Sequence, residues 1–455
     1  MRQIEQPAVR CREPRDVALW TMFAKILPRA TVLAVTLTLL ACATTPTRIE
    51  QPLVQPTPAE PYARVYPYYA ESCALTQLGK KSGFGAEIYS GVGGHGALYL
   101  NGVCRSQKEP YPVLEMCDEA GQQPDRDGVG LSVNAHYRNA VWVATEGRDF
   151  FFNGALAPAA RLSQGAYREV QASAIKKGIY GGVDFHAAVF EDMPAGFSPA
   201  DFRYEISVAT DYAIAFGRHR YCARVPVDRS QMVGIVNFLN QLNEPYKVGR
   251  KVFDWNIFTH NCEHVNHNAL AAAGVWSVWP MDRFILTSIF DFPVPKNEFV
   301  NLVRRTNDLP IDDLEQMFKD PAARTMLLEH GQLPTQPGAL IDYVGMLQNN
   351  DVYSTQSKII FYDQPGFGSY QRYFEGILRA PRYSRLRENL AHFFSLYQKI
   401  DSEKQSVEDY LREHRGIPVA QEKSFREFHR RYYEYVDRQL QEVEKNLAHL
   451  NRASQ

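Results

Sequence analysis

The stretch FDWNIFTHNCEHVNHNALAAAG, Phe253 to Gly274, decides how the rest of the chain is read. It passes from an aromatic and polar run into an alanine-rich one that ends in glycine. That pattern predicts a helix beginning near Cys262 and stopping at Gly274, which suits the C′ position. Cys262 then stands in the first turn, where unsatisfied N–H groups and the helix dipole favour an anion. A thiol there is expected to ionise below its ordinary pKa of about 8.5. The same N–H groups fit the oxyanion of a tetrahedral intermediate. A nucleophilic thiol also needs a base, and the base needs an orienting group.

His95 is the candidate base. It follows Gly91-Val92-Gly93-Gly94 and opens a strand predicted over 96–103, on the face of Ala97 and Tyr99. The glycines let a second backbone approach the imidazole. A strand predicted over 129–136 puts Ser132, Asn134 and His136 on one polar face. His136 is expected to hold the His95 tautomer as the third member of a triad, with Asn134 the alternative. Further strands are predicted over 140–145, 203–208 and 219–226. A helix is predicted over 228–242, opened by an Asp228/Gln231 capping box.

Asn261-Cys262-Glu263-His264 resembles the Asn-Cys-Glu-His motif of lecithin:retinol acyltransferase-like proteins, a circularly permuted branch of the papain-like NlpC superfamily. In that branch the histidine precedes the cysteine along the chain, as His95 precedes Cys262. Gly94-His95 running into a strand, and Phe253-Asp254-Trp255 ahead of Asn261-Cys262, are also similar to the periplasmic domain of Lnb-type lipoprotein acyltransferases. Two departures stand out. No second histidine follows His95 before His136, and Glu263-His264 occupy the place where the Lnb-type pattern has Ser or Thr. The resemblance implies an α+β fold: a permuted papain-like domain, antiparallel sheet plus helices, over 62–290. A mainly helical C-terminal region follows over 291–455. It also implies a thioester-forming hydrolase or acyltransferase acting on a lipid acyl group or a peptide. The alternative is an envelope-binding or scaffold lipoprotein with the same fold and no catalysis.

Ahead of this domain, Thr31 to Ala41 is the one apolar run longer than ten residues, preceded by Lys25 and Arg29. It is about half the length that spans a bilayer, which favours a signal peptide over a transmembrane helix. Leu39-Leu40-Ala41-Cys42 resembles the bacterial lipobox, which implies cleavage before Cys42 and lipidation of its thiol. Residues 1–41 are therefore read as the signal, with Met22 a better-proportioned start. Residues 42–61, with five prolines, are read as the lipidated cysteine and an extended tether. Ala43 after the lipobox suggests, by resemblance to sorted lipoproteins, the outer membrane facing the periplasm.

Seven cysteines occur. With Cys11 removed and Cys42 lipidated, an oxidising compartment should pair residues among Cys73, Cys104, Cys117 and Cys222. Three connectivities are open, and Cys104 with Cys117 makes a sensible short loop. Cys262 is left free. His260, Cys262, His264 and His267 have helical spacing that would also suit zinc, but no HExxH accompanies them, and neither metal nor cofactor is expected. Fifty Lys and Arg against 51 Asp and Glu leave no basic excess for nucleic acid. Near the C-terminus, Leu386, Leu390, Phe393, Phe394, Tyr397 and Ile400 form one apolar stripe. Phe425 through Leu450 form another, on a predicted helix of about 28 residues. That helix either covers the core or meets a protein partner.

Overall fold

The computed structural model describes residues 55–85, 94–117, 128–157, 159–257, 259–280, 294–356, 361, 369–414 and 416–453. The signal segment, Cys42, the tether up to residue 54 and Gly91–Gly93 lie outside the described residues. The chain opens with α1 (Ala59–Val65), β1 (Tyr69–Leu75), β2 (His95–Asn101), β3 (Val103–Arg105), β4 (Leu114–Met116), β5 (Gly128–Ser132) and β6 (Val143–Glu146). Next come α2 (Arg148–Asn153), α3 (Gln164–Lys177), α4 (Pro199–Ser207), β7 (Arg220–Pro226), α5 (Arg229–Lys247) and α6 (Cys262–Ala272). The remainder is α7 (Pro295–Asn307), α8 (Leu314–Lys319), α9 (Pro321–His330), β8 (Leu340–Val344), α10 (Tyr370–Arg379), α11 (Leu386–Ser402), α12 (Val407–Glu413) and α13 (Glu422–Ala453).

The protein is α+β, with an antiparallel sheet, packed helices and a helical C-terminus. The sheet runs β6-β5-β2-β1-β7-β8, every neighbour antiparallel. Helices cover both of its faces. On one, Leu98, Leu100, Val129 and Val225 pack with Ile235 and Leu239 of α5, Val265 and Ala269 of α6, and Phe299 of α7. On the other, Tyr69, Ala97, Tyr99 and Leu340 pack with Phe151 of α2, Phe393 and Tyr397 of α11, and Phe425 and Val436 of α13. Strands buried on both faces lose polar/apolar alternation, which is why β1, β2 and β7 are buried at every position.

Two disulfides form. Cys73 and Cys222 face each other in register across β1 and β7, and Cys104 and Cys117 close the β3–β4 hairpin. Cys262 is free and buried. The last helix packs its apolar face back on the core, most extensively along α11.

Three expectations need correction. Residues 203–208 are not a strand but the end of α4, because Ser198 caps Asp201 N–H and Pro199 sits at the first helical position. The strand predicted to reach His136 stops at Ser132. Residues beyond 291 are not helices alone: β8 adds the sixth strand beside β7, and α7 packs on β1 and β7, so the sheet runs across the 290/291 boundary.

Candidate functional site

Cys262 is the first residue of α6, as the alanine-rich run and its preceding polar residue require. Asn261 caps the helix, its Oδ1 accepting from Glu263 N (2.9 Å), His264 N (3.1 Å) and the His264 ring (2.9 Å). The cap satisfies two helix-end N–H groups, and the N–H groups of Cys262 and Glu263 still favour an anion on the sulfur. The thiol also accepts from Gly96 N at 3.3 Å. Gly96 lies one residue before the Ala97↔Ser132 pair, so its N–H falls outside the β2–β5 ladder. A Cβ here would overlap the Glu263 carboxyl and force it to move. Gly94, at φ +80°, is hemmed in by Leu75 O and Lys296 Nζ.

His95 sits next to that contact, at the start of β2. Its Nε2 is 3.0 Å from Ser132 Oγ, and the Ser132 hydroxyl donates to Thr210 O at 3.2 Å. A carbonyl only accepts, so the single hydroxyl proton is committed to it and Ser132 must accept from His95 Nε2–H. Through this contact the arrangement favours the tautomer with the lone pair on Nδ1. Thr210 comes from a tight loop bracketed by Ala209 (φ 62°) and Ala213 (φ 51°), two of the three described non-glycine residues with positive φ. Strain of that kind costs on the order of 1–3 kcal/mol and persists where surroundings over-determine it. Here Arg218 binds Ala209 O (2.7 Å), and Asp211 accepts from Tyr137 and Tyr180.

Alternation puts the His95 ring on the face of Ala97 and Tyr99, whereas α6 packs on the opposite face. Among the described residues no hydrogen bond joins the ring to the sulfur: the ring bonds Ser132 and the Thr210 carbonyl, and the thiol bonds Gly96. Both groups are neutral. Burial, with Arg218 nearby, lowers His95 to about 3. Burial and the neighbouring Glu263 push the Cys262 thiol up to about 12 against the backbone N–H groups that favour its anion. The expected low thiol pKa is thus overturned, since desolvation of a nearly enclosed sulfur outweighs the helix terminus. Glu263 is itself raised well above the usual carboxyl range by burial and by Glu298. Lys296, fully buried beside Gly94, falls to about 7 through burial and Arg218.

His136 does not hold His95. With the strand ended at Ser132, the chain turns, and His136 lies against Phe185 with its Nδ1 buried and unpartnered. Asn134 accepts from the His136 backbone N–H instead. Ser132, which sequence alternation had placed on the correct polar face, takes the role. His264 stays at the cap. His267 bridges Glu298 (2.6 Å) and Ser277 O (2.8 Å) and stacks on Trp279. With those ring nitrogens committed, the His260–His267 run does not converge on one point. The described metal-type ligand atoms that do converge are those of Glu71, Cys73 and Cys222, and both sulfurs are in the disulfide. Thr210, Arg218 and Lys296 had no local motif to announce them.

A cleft of about 1070 Å³ lies elsewhere, between α8, α12 and α13, lined by Asp313, Glu315, Tyr410, His414 and Tyr433 among others. No described helix is long and apolar enough to cross a membrane. No protein-family model matches the chain, and no curated protein or solved structure does either.

Proposed function

We propose that Cys262 and His95 form the reacting pair of an envelope-anchored cysteine hydrolase or acyltransferase on a permuted papain-like fold, tethered through a lipidated Cys42. One observation carries this reading. Cys262 is the free thiol left after the four other described cysteines pair, and it sits at a helix start, bound to the N–H of the residue after His95. The Ser132–Thr210 arrangement supports it further, because it leaves Nδ1 of His95 as the basic nitrogen.

In such a reaction the His95 ring, at the first position of β2, turns from its resting place beside Ser132 towards the sulfur, and Nδ1 takes the thiol proton as sulfur bonds to an amide or ester carbonyl carbon. The carbonyl π electrons move to oxygen. Collapse of that intermediate breaks the bond to the leaving group, which receives the proton from His95, and a thioester remains. Water then gives hydrolysis, whereas an amine or alcohol gives acyl transfer. The neutral resting pair is consistent with proton transfer that accompanies attack, and catalytic contacts often tighten only with substrate bound. Ser132 acts through His95 and is a positioning residue.

A second reading has its own observation. Cys262 and His95 are each only 8 % exposed, and both are held neutral, as a closed binding or scaffold module would have them. Mass spectrometry of the Cys262 peptide from intact envelopes separates the two. A fatty-acyl or muropeptide adduct that disappears in His95→Ala is the expected result. An unmodified thiol under conditions that trap thioesters elsewhere in the same sample favours the binding module.

A further inference from the structure

Six large apolar side chains are exposed among the described residues, and four of them flank Cys262: Val248 (50 %), Val252 (56 %), Ile257 (38 %) and Val278 (68 %). The fold brings these two segments to one end of α6. Gln231, near the start of α5, bonds Ala273 O just past the end of α6, so the two helices run antiparallel and the longer α5 carries Val248 beyond the thiol end of α6. Ile257 O accepts from Asn261 Nδ2, one residue before Cys262. After α6 the chain doubles back. Trp279 pairs with Asn268 and lays its ring against His267 and His264, carrying Val278 towards the same end.

The same two segments hold Trp255, Trp276 and Trp279, three of the five tryptophans in the chain, each partly exposed. They also hold Arg250 and Lys251, exposed and outside every ion pair among the described residues, against one exposed acid, Asp254. Apolar tips, tryptophans and unpaired cations are the ingredients of a bilayer interface, where indole rings sit at head-group depth and cations meet lipid phosphates. A protein interface would need a contiguous apolar core and some 20–30 residues a side. These tips are separated by turns and charges.

We propose that this rim around the thiol end of α6 is a membrane-contact surface, seated on anionic lipid head groups with Val252, Ile257 and Val278 at the interface. It does not depend on whether Cys262 reacts. The stretch from Cys42 to the first described residue, Gln55, spans at most about 45 Å when extended, so a lipid on Cys42 keeps the bilayer within that distance of Gln55.

The chain with its natural N-terminus, reconstituted on vesicles whose phosphatidylcholine carries bromine on the acyl chains, tests this through tryptophan quenching. Trp142 is fully buried, and Trp20 leaves with the signal when the chain is processed at Cys42, so the signal of the processed protein reports the rim. Quenching is expected, and it should increase when phosphatidylglycerol is added. Val252→Asp with Val278→Asp should remove most of it at an unchanged thermal transition. Arg250→Gln with Lys251→Gln should abolish only the phosphatidylglycerol-dependent part, a fall of roughly tenfold in rim occupancy at low salt. Cys262→Ala should quench like the parent, which keeps this outcome separate from the fate of the thiol chemistry. An anchored protein that is not quenched, or one quenched equally in the Val252/Val278 variant, overturns the proposal, including the case in which the rim binds a protein instead.

Discussion

The two faces of the central sheet bury ionisable groups to the same degree and treat them in opposite ways. On the face covered by α11 and α13, Arg148 grips Glu71 through two bonds (2.8 and 3.0 Å) and Asp342 at 3.0 Å; Arg220 and Arg224 complete the network. Burial pushes Asp342 upward, but Arg220, Arg224 and Arg148 outweigh it and hold the carboxyl at about 2. Where the sheet meets α6 and α7, burial wins. Cys262, Glu263 and Lys296 shift towards their neutral forms there, and so does His95 at the adjoining end of β2, although its ring lies on the Ala97 face. The difference is the number of opposite charges within reach. Desolvation alone neutralises a group, whereas desolvation matched by partners fixes an ion in place. One cluster therefore stays charged, and the other rests neutral.

The largest effect should come from breaking the charged side. Arg224→Met leaves Glu71 and Asp342 short of a buried partner and should cost about 3–5 kcal/mol in denaturant unfolding. A loss below about 1 kcal/mol would mean the network is solvated and the contrast between the faces is smaller than it looks.

An intermediate effect follows from pH. Asp342 lies below its ordinary 3.8, so its contribution is complete above about pH 4 and fades as the pH falls towards 2. Lys296 behaves in the other direction. Its folded value of about 7 lies below the ordinary 10.5, so between those values the unfolded chain holds a proton that the fold lacks. Stability should rise from pH 7 to pH 10, and Lys296→Met should remove that rise, a change of about 3 kcal/mol. Parallel stability–pH curves for parent and variant would show that Lys296 stays charged and that the α6–α7 side is not neutral.

The sequence made the helix starts legible because their signals are local. Asp228 with Gln231 opened α5, and a polar residue followed by an alanine-rich run placed the start of α6 at Cys262. Strand β8 was hidden, since Leu340–Val344 becomes a strand only through pairing with β7, more than a hundred residues earlier. Residues 203–208 misled because alternating Tyr204 and Ile206 also suit a short helix buried on one side. In the site, Cys262 and His95 could be picked from motif and order, whereas Thr210, Arg218 and Lys296 meet them only through tertiary folding. The pKa values were not legible at all, because they depend on how much water the packed helices exclude.

The smallest effect concerns how His95 is kept in one tautomer. Ser132 gives its proton to Thr210 O and accepts from Nε2–H, so Ser132→Ala removes that acceptor while leaving a cavity of one oxygen. Thermal stability should fall by about 1 kcal/mol, the usual net worth of one buried hydrogen bond. The decisive readout is nitrogen NMR of the His95 ring. The parent should show protonated Nε2 and bare Nδ1, and Ser132→Ala should show a mixture of tautomers. His136→Ala and Asn134→Ala should leave the parent spectrum unchanged, since neither side chain bonds the ring. If His136→Ala scrambles the tautomer and Ser132→Ala does not, the orienting group lies past the end of β5 and the Ser132–Thr210 assignment is wrong. A Ser132→Thr variant, which keeps the hydroxyl, should restore the parent pattern and so separates the hydrogen bond from simple packing at this position.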